Sequence, residues 1–546
     1  MKRTLALLVL VLLVVPVTEA LAQAPAPKVT ITGLFDQVTA AGRNFYDANF
    51  ARDGDREWYG RTRFRPDFEF AVGRTKAVLG LEIDLGYGQM GVNDGGFPGN
   101  TTGASNCKAN TNGCLDINTD VGGMIEIKWI YTEFDLTGKD SLMPFIPVAT
   151  VARLGGQPWA TLGGYKTAAF ANGDFAGLST ITTFSPNVRL SFAFAVVEDQ
   201  LAGGNRSLAQ LRTSRGDDYA FIVSPEITPF KGLDIKPLFS WFHADGQTSS
   251  STRGNHANIR TAGGTTNGPA AQGTTTTAGD STLHEERFTV GLDARWRVGP
   301  FGLDPTFYYQ WGTKDSQAFR SNGSVGTVEA DMSAWIFDVI GSYQLGPLLL
   351  EARGVYTPGN KARDNLARSI RYYQPLDADG SYFTGWSNIW ATGVDYFNGG
   401  FLPMTRWITY DRFGLATLAG RATYSITPAL NVYGIVAPMW TAEKVDIDTN
   451  VTPASTTANA GAGNVPRTTL VGGTRPSWVE GESQYLGTEV NLGITWRFAP
   501  NTAFDLVGSY LFAGDGLDTS DVLNGVTVRR SANDGYQVAA RIRLAF

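Results

Sequence analysis

Charged residues recur at alternate positions through much of the 546-residue chain, and they are the residues with chemistry to offer. Arg61, Arg63 and Arg65 share one parity with Glu69, and Glu82 and Asp84 follow. The pattern returns at Arg287, Asp293, Arg295 and Arg297, at Glu351 and Arg353, at Arg497, and at Arg541 and Arg543. The other parity is apolar in the same stretches, as in Phe64, Phe68 and Phe70 or Phe288, Val290 and Leu292. A period of two puts the two sets on opposite faces of a strand. Arginine rows facing water inside a pore favour anions. The competing reading pairs these charges across neighbouring strands, where they line a wet wall.

Other chemistries find little support. The chain has three histidines, His243, His256 and His284, and neither a Gly-x-Ser-x-Gly nor a His-Glu-x-x-His motif. Asp53/Asp55 and Asp377/Asp379 lack the ligand spacing of a calcium loop and are better explained as turns. No enzymatic activity, cofactor or metal site is expected. The formal charge of −6 argues against a nucleic-acid partner. The two cysteines, Cys107 and Cys114, lie in one Gly/Asn/Thr-rich stretch and are expected to form a local disulfide in an oxidising compartment.

The elements that would position the charges are amphipathic strands. Lys2 and Arg3, the apolar run Leu5 to Val17 and the Ala20-Leu21-Ala22 site form a signal peptide over 1–22. Residues 23–546 then divide into about eighteen alternating stretches, each the length of a tilted membrane strand. Sixteen is the alternative count, because the stretches ending near Leu154, Ser185 and Thr427 alternate poorly. Between Ile125 and Tyr131 the pattern places Ile125, Ile127, Trp129 and Tyr131 on one face, against Glu126 and Lys128. Connections alternate long and short. Long ones fall near 88–120, 245–282, 358–410 and 446–480, and most short ones carry Pro or Gly, such as Gly299-Pro300 and Ala499-Pro500-Asn501. The expected fold is all-β: a transmembrane antiparallel up-and-down barrel with short periplasmic turns and long external loops.

The last eleven residues carry a resemblance. Tyr536, Val538, Ala540, Ile542, Leu544 and Phe546 alternate with Gln537, Arg541 and Arg543, and the stretch stops on an aromatic residue. It resembles the closing strand of bacterial outer-membrane β-barrel proteins. That resemblance implies insertion by the barrel-assembly machinery, contact with outer-membrane lipid after secretion across the inner membrane, and a porin function. Porins are often homotrimers, but the sequence shows no trimer contact. The third external loop of general porins folds into the lumen, which points to Trp159, Lys166 and Asp174 as a constriction. The 358–410 insertion is the other candidate. There Asn360 to Tyr373 is expected to form a short helix carrying Arg363, Arg368 and Arg371, followed by an ordered aromatic segment. The function expected is passive diffusion of small hydrophilic solutes or ions. The alternatives are a channel selective for anionic solutes or polysaccharide, since the stretch from Arg61 to Glu69 weakly resembles alginate-export barrels, and a non-conducting barrel that presents binding loops.

Overall fold

The computed structural model describes residues 26–44, 56–87, 114–115, 124–160, 169–199, 217–245, 282–319, 325–361, 369–376, 386–390, 413–445, 482–523 and 526–546. Eighteen strands close into one antiparallel barrel. They are β1 (Lys28–Arg43), β2 (Arg56–Val72), β3 (Thr75–Tyr87), β4 (Met124–Thr137), β5 (Ala149–Ala160) and β6 (Asn172–Ser185). Next come β7 (Val188–Asp199), β8 (Asp217–Phe230), β9 (Leu233–Asp245), β10 (Thr282–Val298), β11 (Phe301–Phe319) and β12 (Val325–Leu345). The remaining six are β13 (Leu348–Thr357), β14 (Leu415–Thr427), β15 (Leu430–Val445), β16 (Ser483–Ala499), β17 (Thr502–Ala513) and β18 (Gly535–Ala545). Each pairs with its neighbours in sequence, and β18 returns to β1. The seam is sealed at its end by Gly33 and Phe546, which exchange backbone hydrogen bonds of 2.8 and 3.0 Å. The sixteen-strand alternative is thereby excluded.

The pleat explains which residues face lipid. On β18, Val538, Ile542 and Leu544 are 52, 46 and 41 % exposed, while Gln537 and Ala539 on the other parity are buried. Aromatic side chains gather on the outward face near both ends of the strands. Phe301 and Tyr343 pair at the turn end, with ring centroids 4.6 Å apart. Trp440 with Tyr485 and Tyr510 with Phe512 pair near the loop end. Two such girdles around an apolar band are the signature of a barrel in lipid. The short turns mark the periplasmic end on the plan of such barrels.

Three expectations need correction. A β-bulge between Gly80 and Leu81 sets Trp129 opposite Gly80 and Ile127 opposite Leu81. The extra residue flips the strand beyond it, so Trp129 and Tyr131 face the lumen while Ile127 and Ile130 remain exposed outside. The alternation of long and short connections also fails twice. Residues 138–148 separate β4 from β5, whereas only 320–324 separate β11 from β12, because these strands run on for 19 and 21 residues. Finally, Ser369–Ile370 are not helical. They add in parallel to Asp331 and Met332 of β12, where that strand extends past its last pairing with β13 at Phe337 and leaves an open edge. The signal segment 1–22 lies outside the described residues, as do the loops near 246–281 and 446–481 and nearly all of 88–123.

A cation in the apolar band would have no partner. Leu506→Arg, near the middle of β17, is expected to cost about 2–4 kcal/mol of folding free energy in a bilayer. Denaturant unfolding in lipid vesicles measures this, and an unchanged midpoint would contradict the lipid-facing assignment.

Candidate functional site

The lumen wall is a mesh of ion pairs between neighbouring strands. Glu82 of β3 receives Arg63 at 3.1 Å, Arg65 at 2.7 Å and Lys128 at 3.1 Å. Lys76 reaches Glu69 at 3.2 Å, and Arg153 meets Glu133 at 2.5 Å. On β18, Arg541 meets Asp505 of β17 at 2.7 Å, and across the closing seam Arg543 meets Asp36 of β1 at 3.2 Å. On the opposite wall Arg295 binds Asp234 at 2.6 Å, Arg297 binds Asp304, and Arg421 binds Glu351 at 2.5 Å. Arg353 and Asp338 form a two-pronged pair, Nε to Oδ1 at 3.0 Å and Nη2 to Oδ2 at 2.9 Å, in which the carboxylate is fully buried. Arg61 is buried on the lumen face of β2. Arg497 is exposed toward the turn end of β16. Asp84 lies on β3, its side chain outside the described residues. Oppositely charged cross-strand pairs satisfy each other at short range, so these arginines do not form an uncompensated basic row.

The second feature is chain inside the barrel. The β4–β5 ladder stops at Ile130 and Gly156 and the β6–β7 ladder at Ala176 and Val196, yet β5 and β6 stay paired to Ala160 and Asn172. The tip of this hairpin has therefore left both neighbours. Gly155 and Gly177 supply the bend with φ of +125° and +145°, and a Cβ on either would sit 2.3 or 2.0 Å from a carbonyl oxygen of the adjacent strand. Trp159 and Phe175 meet edge to face at 6.0 Å and pack against the apolar cluster within the lumen. Beyond the tip, Ala169, Phe170 and Ala171 are buried. Phe170 lies against Tyr308 of the far wall, ring centroids 6.0 Å apart.

There it meets the β13–β14 connection. Leu376 N–H donates to Phe170 O at 2.9 Å, and Tyr373 Oη donates to Ala169 O at 3.0 Å. Burial pushes the Tyr373 phenol well above its ordinary pKa, which keeps it a neutral donor. Gln310 of β11 pairs with the backbone of Gln374 in both directions, accepting its N–H at 2.8 Å and donating to its carbonyl at 2.6 Å. Arg287 of β10 donates to the Gln374 side chain at 2.8 Å while facing Glu285 at 3.4 Å. Asp293 accepts from Thr306 and Tyr308 on the same wall.

A second anchor lies on β16. Glu489 of β16, fully buried, accepts the consecutive N–H groups of Asn388, Ile389 and Trp390, the last two at 3.0 Å. Arg421 stacks over Trp386 at 4.5 Å from its ring centre. Among the sequence-predicted constriction residues, Trp159 and Asp174 thus sit on the inward hairpin. Arg371 is exposed and donates its N–H to Asn360 Oδ1 at 2.8 Å. Lys166, Arg363 and Arg368 lie outside the described residues.

Between the inward hairpin and the β1–β5 wall is a cavity of about 820 Å³, lined in part by Arg65, Asp67, Lys128, Trp129, Arg153, Trp159 and Asp174. It carries both signs of charge and two indoles. Sequence reasoning missed Trp129, which the bulge turned inward, and the anchors Gln310, Gln374 and Tyr373. One signal was present: Phe242 and Tyr308 are aromatic on the lumen parity, where bare water-facing wall has no use for them.

A closed barrel with an outward apolar band, two aromatic girdles and an ionic interior has one physical setting. The protein is a membrane-spanning β-barrel with the architecture of outer-membrane barrels. No family model matches the sequence, and no curated protein does. Among solved structures, OccAB4 of Acinetobacter baumannii is similar with a TM-score of 0.44 at 10 % identity, over 94 % of this chain and 98 % of that one. The outer membrane protein opdK of Pseudomonas aeruginosa has a TM-score of 0.44 at 10 % identity, over 95 % and 99 %. A BenF-like porin of Pseudomonas fluorescens has a TM-score of 0.44 at 11 % identity, over 95 % and 98 %.

Arg353→Met keeps side-chain volume but takes the guanidinium away from the buried Asp338 carboxylate. It is expected to destabilise the barrel by about 3–5 kcal/mol, the cost of breaking a buried ion pair. An unchanged free energy of unfolding in detergent would contradict the pairing.

Proposed function

We propose that the protein is a narrow diffusion channel for small hydrophilic solutes that carry charge. The observation that carries this reading is chain inside the barrel: the tip of the β5–β6 hairpin is bound to the β13–β14 connection, and that connection is held to β11 by Gln310 and to β16 by Glu489, beside a cavity lined by both cations and carboxylates. A barrel of about eighteen strands leaves an aqueous channel unless something fills it. Here the filling is partial, and the remaining surface suits solutes that exchange water for paired charges and hydrogen bonds. The apolar cluster inside the barrel, including Phe170, Leu376, Ile389 and Trp390, favours a second reading, a sealed barrel whose loops bind partners.

Single-channel recording on the refolded barrel separates the two. The channel reading expects small steady steps with a reversal potential close to zero across a KCl gradient, because the wall charges are paired. It also expects larger steps from Glu489→Gln, which weakens the hold on residues 388–390. No current from either folded protein would overturn it in favour of the sealed barrel, and strong anion selectivity would restore the basic-wall reading.

We also propose removal of residues 1–22 on export and a disulfide between Cys107 and Cys114. Cys107 lies outside the described residues, as does the side chain of Cys114. The intact mass of the protein from outer membranes is expected to match a chain beginning at Gln23 with no thiol open to alkylation. An alkylated cysteine in the non-reduced, unfolded protein would contradict the disulfide.

A further inference from the structure

One polar cluster lies on the outer surface of the wall, away from the lumen. His243 of β9 and His284 and Glu286 of β10 face outward, one step beyond the Trp241–Phe221 stack toward the loop end. The lumen parity of the same strands is taken by Phe242, Glu285 and Arg287. His243 Nδ1 lies 2.6 Å from Glu286 Oε1, and His284 Nε2 lies 3.7 Å from the same oxygen. One ligand-capable atom from each of the three residues falls within 4.8 Å of the others.

We propose that His243, His284 and Glu286 form a binding site for a divalent transition metal of the zinc class on the outer rim of the barrel. Two imidazoles and one carboxylate are a ligand set that zinc accepts with a fourth position left to water. Ligand atoms about 2.0–2.1 Å from zinc at tetrahedral angles stand about 3.3 Å apart. The observed 2.6 and 3.7 Å bracket that spacing, and the ligand atoms of all three residues lie within 4.8 Å of one another, so side-chain movement draws them around an ion. The carboxylate is already aimed, because the Trp241 indole N–H donates to its other oxygen, Oε2. Such an outer partner orients a ligand and sharpens affinity. His243 is further held between the rings of Tyr219 and His284, with centroids 5.0 and 5.5 Å away. The side chains are 17, 38 and 27 % exposed for His243, His284 and Glu286, which leaves the ion a path from solvent. Bound there, it would clamp β9 to β10 at the start of the 246–281 connection.

The test uses the untagged, refolded full barrel in detergent, in a His256→Ala background so that the third histidine supplies no ligand. Co²⁺ absorption and Zn²⁺ calorimetry are the readouts. The site predicts one ion per barrel, intense visible bands of four-coordinate Co²⁺, at least tenfold weaker binding in His284→Ala or Glu286→Gln, and none in His243→Ala/His284→Ala. Heat-modified gel mobility confirms that each variant is folded. No stoichiometric binding, or equal affinity in the folded double variant, overturns the proposal.

Discussion

Everything in this structure depends on the pairing of backbone groups in a medium without water. An unpaired N–H or C=O in hydrocarbon costs several kcal/mol, so a sheet in lipid has to return to its first strand. The β1–β18 ladder does this, and the exchange between Gly33 and Phe546 carries it to the end of the seam. Once the sheet is closed, the pleat assigns each side chain to lipid or lumen. The alternation of Val538, Ile542 and Leu544 with Gln537 and Arg541 is the sequence record of that assignment.

The same constraint governs what happens inside. A lumen narrowed by protein is poorly hydrated, and charges there need partners close by. Asp338 finds Arg353, Asp505 finds Arg541, and Glu82 gathers three cations. Glu489 solves the problem differently, taking backbone N–H groups in place of a cation. It satisfies a buried carboxylate and a segment of irregular chain in one arrangement. Gln310 of β11 and Gln374 do the same without charge. The inward segments are therefore held by the polar groups that an empty wall would have turned toward water.

Much of the architecture was legible in the sequence, and the reasons are local. Lipid on one face and polar groups on the other enforce a period of two, so the two faces of β2, β10, β16 and β18 could be read, while β2, β10 and β16 begin several residues earlier than the alternation alone marked. Pro and Gly marked most of the turns. Legibility stopped where one residue changed the parity, as at the bulge before Trp129, and where glycines bent a strand off the wall, as at Gly155 and Gly177. The 358–410 segment was expected to be ordered from its aromatic content, and the described parts of it are 358–361, 369–376 and 386–390. Its helix was not found over the described residues, because the open edge of β12 offers Ser369 and Ile370 an extended partner. Which wall each inward segment would join was beyond sequence reasoning, since Gln310 and Glu489 look like any other lumen residue until their partners are seen.

The central claim is that chain within the lumen is bound as firmly as the strands around it. Residue-resolved hydrogen exchange on the folded barrel in detergent tests this directly. The account predicts that the amides of Gln374, Leu376, Ile389 and Trp390 are protected to the same order as amides of β11 and β16. Exchange at the rate of an open loop would contradict it and leave the barrel wide.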